Sequence, residues 1–271
     1  MFHFAGWNVD TGTGVGTRDG WRRLTLELEN GVILGTIRQA LTRDDAQYAL
    51  CLLVQGAPSE QGVLEAALRD RGFDAILDDP RLADALLTHA AGARAPLPLM
   101  VYVLVRRALR DAQEGDRVLA DFVAAIVLHF AFRDRAYRAR EHDDVRYDTL
   151  ASLAADVDSG DPVRSFLVRA HMGHHALWLA GLFPDRVEAM RHRRGGPGLE
   201  YYDEMGRRGY ELASRHRLAA EHGVSHVFEA AAERFQRLRI ALNGLSDRVF
   251  FPYHHTADRL LRQVRDEGRW H

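Results

Sequence analysis

The sequence predicts a mainly α fold, a multi-helix bundle with a short β-hairpin near the N-terminus, and three observations lead there. After Thr42, apolar residues recur at three- and four-residue intervals in segment after segment. Thr, Ser and Asp residues, two of them followed directly by proline, punctuate those segments as helix starts. Strict apolar–polar alternation occurs in one place only, LTLELENGVILGTI from Leu24.

Taken in order, residues 1–20 carry five glycines and little periodicity, which predicts a flexible arm ahead of a helical domain over 21–271. Gly12, Gly14 and Gly16 resemble a phosphate loop, but no buried strand precedes them and no helix follows. Leu24, Leu26 and Leu28 alternate with Thr25, Glu27 and Glu29 up to Asn30-Gly31, a type I′ turn dipeptide. A hairpin follows, with a helix over 21–41 as the competing reading.

Thr42 starts a helix through Tyr48–Val54, in which Cys51 is expected as a small buried hydrophobe. Ser59 opens a second helix through Leu68, and Asp79-Pro80 caps a third. Met100, Val101, Leu104, Val105 and Ala108 form a helical stripe; Leu119, Phe122, Val123, Ile126, Val127 and Phe130 form another after Asp116. The charged stretch 133–147 either continues that helix or separates two packed subdomains near 133–160. Asp161-Pro162 restarts the helical text, and long helices are expected over 199–220 and 225–242, with a last segment at 256–264. Phe250, Phe251, Pro252 and Tyr253 interrupt the helices, their aromatics expected to cap the core.

At 271 residues, 46% hydrophobic and 27% charged, the chain can bury a large core. A net charge of −2 supplies no field for nucleic acid or an anionic membrane. All 36 basic residues are arginine, so Schiff-base chemistry, a P-loop lysine and a lysine general base are excluded. One cysteine forms no internal disulfide, and residues 1–20 lack the pattern of a signal peptide, so a soluble cytoplasmic protein is expected, with no membrane span.

The helix from Pro162 to Phe183 carries His171, His174 and His175 on or beside its apolar side. Spacings of i, i+3 and i, i+4 can turn two imidazoles toward one metal ion, so these three are the candidate metal ligands. A third donor would come from His129, Asp203, Glu204, Glu141, His142 or Asp143. Neither Glu-x-x-His on two helices nor His-Glu-x-x-His occurs. Histidines bonded to a carbonyl or a tyrosine hydroxyl within the core are the competing reading.

Two other clusters follow. Tyr202, Gly206, Gly209 and Ala213 share a helix side that suits close helix packing. The alternative is a ligand slot lined by Trp178, Tyr201, Tyr202, Glu204, Gly206, Gly209 and Tyr210. Arg191, Arg193 and Arg194, read as a basic loop just before a helix, are the candidate anion ligands.

Three runs, Pro96–Leu99, Ala176–Pro184 and Tyr201–Tyr210, together with Ala241-Leu242-Asn243 and Leu245-Ser246-Asp247, resemble a family of bacterial helical proteins without an assigned activity. The resemblance implies a bacterial helical fold and no mechanism. With no complete catalytic motif, the expected function is a helical scaffold or adaptor acting through a protein partner or a homo-oligomer, without a cofactor. The alternative is an enzyme dependent on a transition metal or haem at the histidine helix. Nucleic-acid binding through the arginine loop ranks third, since no nucleic-acid motif accompanies it.

Overall fold

The computed structural model describes residues 25–28, 31–131, 135–140, 144–158 and 160–267. The molecule is mainly α. Fifteen α-helices occur among the described residues: α1 (Ile37–Ala40), α2 (Arg43–Gly56), α3 (Gln61–Arg71), α4 (Asp74–Leu77), α5 (Pro80–Thr88), α6 (Leu97–Asp111), α7 (Arg117–Phe130), α8 (Leu150–Ala155), α9 (Pro162–Leu182), α10 (Pro184–Arg194), α11 (Leu199–Ser214), α12 (Arg217–Glu221), α13 (Ser225–Glu233), α14 (Phe235–Leu245) and α15 (Ala257–Glu267). The glycine-rich arm falls outside the described residues, as does Asn30 of the expected hairpin turn.

Four of the start signals act as caps; Ser59 does not, because it lies inside a 3₁₀ turn, Pro58–Glu60, and α3 begins at Gln61 without a side-chain cap. Thr42 and Asp45 exchange side-chain and backbone bonds in a capping box on α2. Asp79, Asp116 and Asp161 each accept from amides of the first turn of α5, α7 and α9. Two expected long helices are broken. The first ends at Ser214, and His216 accepts from the amide of Leu218 to start α12. The second is interrupted at Arg234, which leaves the helical region at φ −104°, ψ 11°. Neither break carries a proline or glycine, so periodicity alone reads through both.

Helix α9 is the axis of the bundle. It packs against α7, α8, α10, α11 and α14, and from Ser165 to Leu182 all but Arg169 and Leu179 are buried. A helix enclosed on every side has no single apolar face, so the one apolar side expected from the sequence understates its burial. Its contact with α11 is the most extensive between helices among the described residues. A Cβ on Gly209 would stand 2.7 Å from the Gly173 nitrogen, and one on Gly206 would stand 2.1 Å from the Phe235 ring. Gly173 in turn receives the ring of Tyr210. The glycines are there because two backbones and two aromatic rings need their space.

One apolar cluster runs from Ile37 to Leu245. Cys51 stands apart from it. Ala49, Leu50, Leu52 and Leu53 take the inner side of α2, and the helical turn leaves Cys51 exposed, contrary to the expected buried position. The aromatic break departs from expectation too: Phe250 is half-buried, but Phe251 and Tyr253 face solvent.

Candidate functional site

The three histidines of α9 are all buried, each in its own hydrogen bond. His171 Nε2 lies 3.0 Å and His175 Nδ1 2.6 Å from the same acceptor, the carbonyl oxygen of Ala136. A carbonyl only accepts, so both nitrogens carry their protons and the two rings adopt opposite tautomers. Ala136 belongs to a single 3₁₀ turn, Arg135–Tyr137, within the charged stretch. The nitrogens that an i, i+4 pair would turn toward an ion therefore converge on a piece of backbone.

His174 points the other way. Its Nδ1 is 3.1 Å from the Tyr210 hydroxyl, and its ring sits among Phe122, Phe130 and Phe228. Burial pushes the Tyr210 hydroxyl well above its ordinary range, so it stays protonated. Burial, helped by the neighbouring imidazoles of His175, His174 and His129, holds His171 well below 6.5. Burial also lowers His175, against the opposing pull of its bond to Ala136. Both rings are neutral, as a buried site lined by aromatics requires.

The other proposed metal donors do not complete a cluster with these rings. His129 is half-buried beside Phe130. Asp203 accepts from Arg239 at 2.7 Å, and Glu204 is exposed and bonded to Arg207. Glu141, His142 and Asp143 lie outside the described residues. Among the described residues, no three His, Cys, Asp or Glu side chains gather into a group that could hold a metal.

The proposed ligand slot is filled by the protein. Tyr202, Gly206, Gly209 and Tyr210 are buried between α9 and α11, Tyr201 is half-buried edge-on to Tyr202, and Glu204 faces solvent. Trp178 packs on Phe130 and Phe183, and its indole N–H is buried without a hydrogen-bond partner among the described residues. Arg191, Arg193 and Arg194 form the last turn of α10, not a loop, and Gly195 closes that helix at φ +63°. Carbonyl groups, not amides, crowd that end of a helix, so an anion gains nothing from it. Arg191 pairs with Glu188 at 3.6 Å, Arg193 donates to the Ala189 carbonyl, and Arg194 is exposed.

Sequence reasoning missed a groove and the orientation of one helix. The groove, an open cleft of about 650 Å³, is lined by Arg38, Arg43, Arg69, Leu41, Leu68 and Phe73. Segments remote in sequence meet there, and no pattern within one segment could have shown it. The helix is α15, whose polarity is turned inside out. Arg259, Arg262 and Asp266 are 3%, 2% and 6% exposed; Leu260, Leu261 and Val264 are 56%, 71% and 69% exposed. Arg262 reaches Asp247 at 2.8 Å and Asp185 at 3.3 Å, and Arg259 donates to the carbonyls of Phe251, His254 and Asp247. The amphipathic spacing of α15 is plain in the sequence, but which side turns inward is not.

Several residues of the resembling runs are structural. Asn243 donates to the carbonyls of Ala180 and Gly181, and Ser246 to that of Leu182. These are carbonyls that the end of α9 cannot pair within itself. Asp247 anchors α15. Compared with protein-family models, curated proteins and solved structures, the chain finds no match.

Proposed function

We propose that this chain is a helical scaffold or adaptor that works through protein–protein contacts. One observation carries the reading: α15 turns Leu260, Leu261 and Val264 to solvent while burying arginines and an aspartate. Leucine and valine side chains left in water forgo roughly 1.5–3 kcal/mol each. Burying charge adds a cost that only good pairing offsets. An outward apolar face of this kind is a surface for a partner.

His171 and His175 fit the same reading, since their N–H groups tie the 135–137 turn to α9. No cofactor is needed for that role. A cytoplasmic location and membership of the bacterial family that the sequence resembles belong to this proposal. Among the described residues, no helix is long and apolar enough to cross a membrane. We also infer that 25–35 forms the hairpin; the support is the antiparallel pairing of Glu27 with Val32 and Leu28 with Gly31.

The test places a photocrosslinking amino acid at Leu261 of the full chain in its native cells. The expected result is a discrete protein adduct. Absence of any adduct, together with stoichiometric metal or a visible chromophore in freshly purified protein, would overturn the scaffold in favour of the metal- or haem-dependent enzyme.

A further inference from the structure

We infer that the outer face of α15 pairs with the same face of a second copy of this chain, antiparallel and about a two-fold axis. The inference rests on the scaffold reading and names its partner. The apolar stripe is short, one helical turn from Leu260 to Val264, with Leu261 beside its midpoint. Running two such helices antiparallel past an axis near Leu261 sets Leu260 of each copy against Val264 of the other.

Charge selects this arrangement. Asp258 and Arg265 stand two turns apart on one flank of the stripe, Asp258 near the start of α15 and Arg265 near its end. In an antiparallel pair the same flanks meet, so Asp258 of each copy faces Arg265 of the other, twice over. In a parallel pair opposite flanks meet instead, so Asp258 and Arg265 would find no partner in each other and the attraction would be lost.

Within one chain these two residues make only long, exposed contacts. Asp258 is 3.6 Å from His192, and Arg265 is 3.6 Å from Glu200. Both can turn to a closer partner without uncovering a buried charge. The inner face of α15 is already committed to Asp185, Asp247 and Arg239, so the helix is held at a fixed orientation with its leucines outward. A stripe of three apolar side chains is smaller than a standard interface, so the dimer is concentration-dependent, micromolar or weaker.

The experiment is sedimentation velocity of the full chain from roughly 1 to 200 μM, spanning the range of small interfaces. Wild-type protein is expected to pass from monomer to dimer. Asp258→Arg alone and Arg265→Asp alone should each weaken the dimer about tenfold or more, because two attractive pairs become repulsive. The double variant D258R/R265D should restore it, and Leu261→Glu should abolish it. All three positions are exposed, and unchanged helicity by circular dichroism confirms folding. A wild-type monomer at every concentration overturns the inference, as does a double variant that fails to recover. A monomer that instead sediments with anionic vesicles overturns it in favour of a lipid surface. A monomer whose Leu261 crosslinks a different protein overturns self-pairing and leaves the scaffold standing; a monomer that crosslinks nothing removes both.

Discussion

Two imidazole N–H groups share the carbonyl oxygen of Ala136, and the pairing requires neither ring to be charged. That sets a pH dependence whose sign follows from linkage. His171 and His175 both titrate below 6.5 in the folded chain, so between that value and their native ones the unfolded chain binds protons that the native chain does not. Stability is complete above pH 6.5 and falls as pH drops through it. The neighbouring charges oppose one another at His175, where Asp148 favours and Arg186 disfavours protonation. The lowered carboxyls of Asp78 and Asp156 act in a lower window, below 3.8. Urea unfolding should therefore show a lower stability at pH 5 than at pH 7.5, with a slope of at most about 1.4 kcal/mol per pH unit for each ring that stays unprotonated. His171→Gln with His175→Gln, which keeps an N–H donor at each position, should flatten that slope. An unchanged slope in the double variant would show that other groups carry it.

At the scale of elements, the α9–α11 contact depends on missing side chains. Gly209 lies against the backbone nitrogen of Gly173 and the carbonyl of Arg169, neither of which can yield. Gly209→Ala should cost about 1–3 kcal/mol in chemical denaturation through overpacking. Gly62 on α3 has open space around it, and Gly62→Ala should be neutral or stabilising, by up to about 1 kcal/mol. Equal effects at both positions would mean that helix propensity, not close approach, governs Gly209. The small-residue side of α11 was legible in the sequence because two glycines three residues apart have few other uses in a helix. The inverted setting of α15 was not legible, because an amphipathic pattern defines two sides without saying which one meets the bundle. Asp185 and Asp247, far away in the chain, decide that.

At the scale of the molecule, residues before and after the charged stretch belong to one apolar cluster, from Ile37 on α1 to Leu245 on α14. α6 and α7 pack on each other, and both reach across to the C-terminal half through α14, α13 and α9. Scanning calorimetry is expected to show one cooperative transition for this shared core; two separated transitions would mean two subdomains divided near 133–160. What the sequence by itself determined was the helical class, the capped starts at Thr42, Asp79, Asp116 and Asp161, and the three histidines as residues of an inner wall. These follow from local chemistry, since a cap or a helical period acts within a few residues. Only the tertiary structure decided that the histidine nitrogens meet at Ala136, that Cys51 and Tyr253 face solvent, that Arg191–Arg194 close a helix, and that α15 turns its leucines outward. Each of those depends on a partner dozens of residues away or on which face of a helix is covered, and neither is written in the spacing of any one segment.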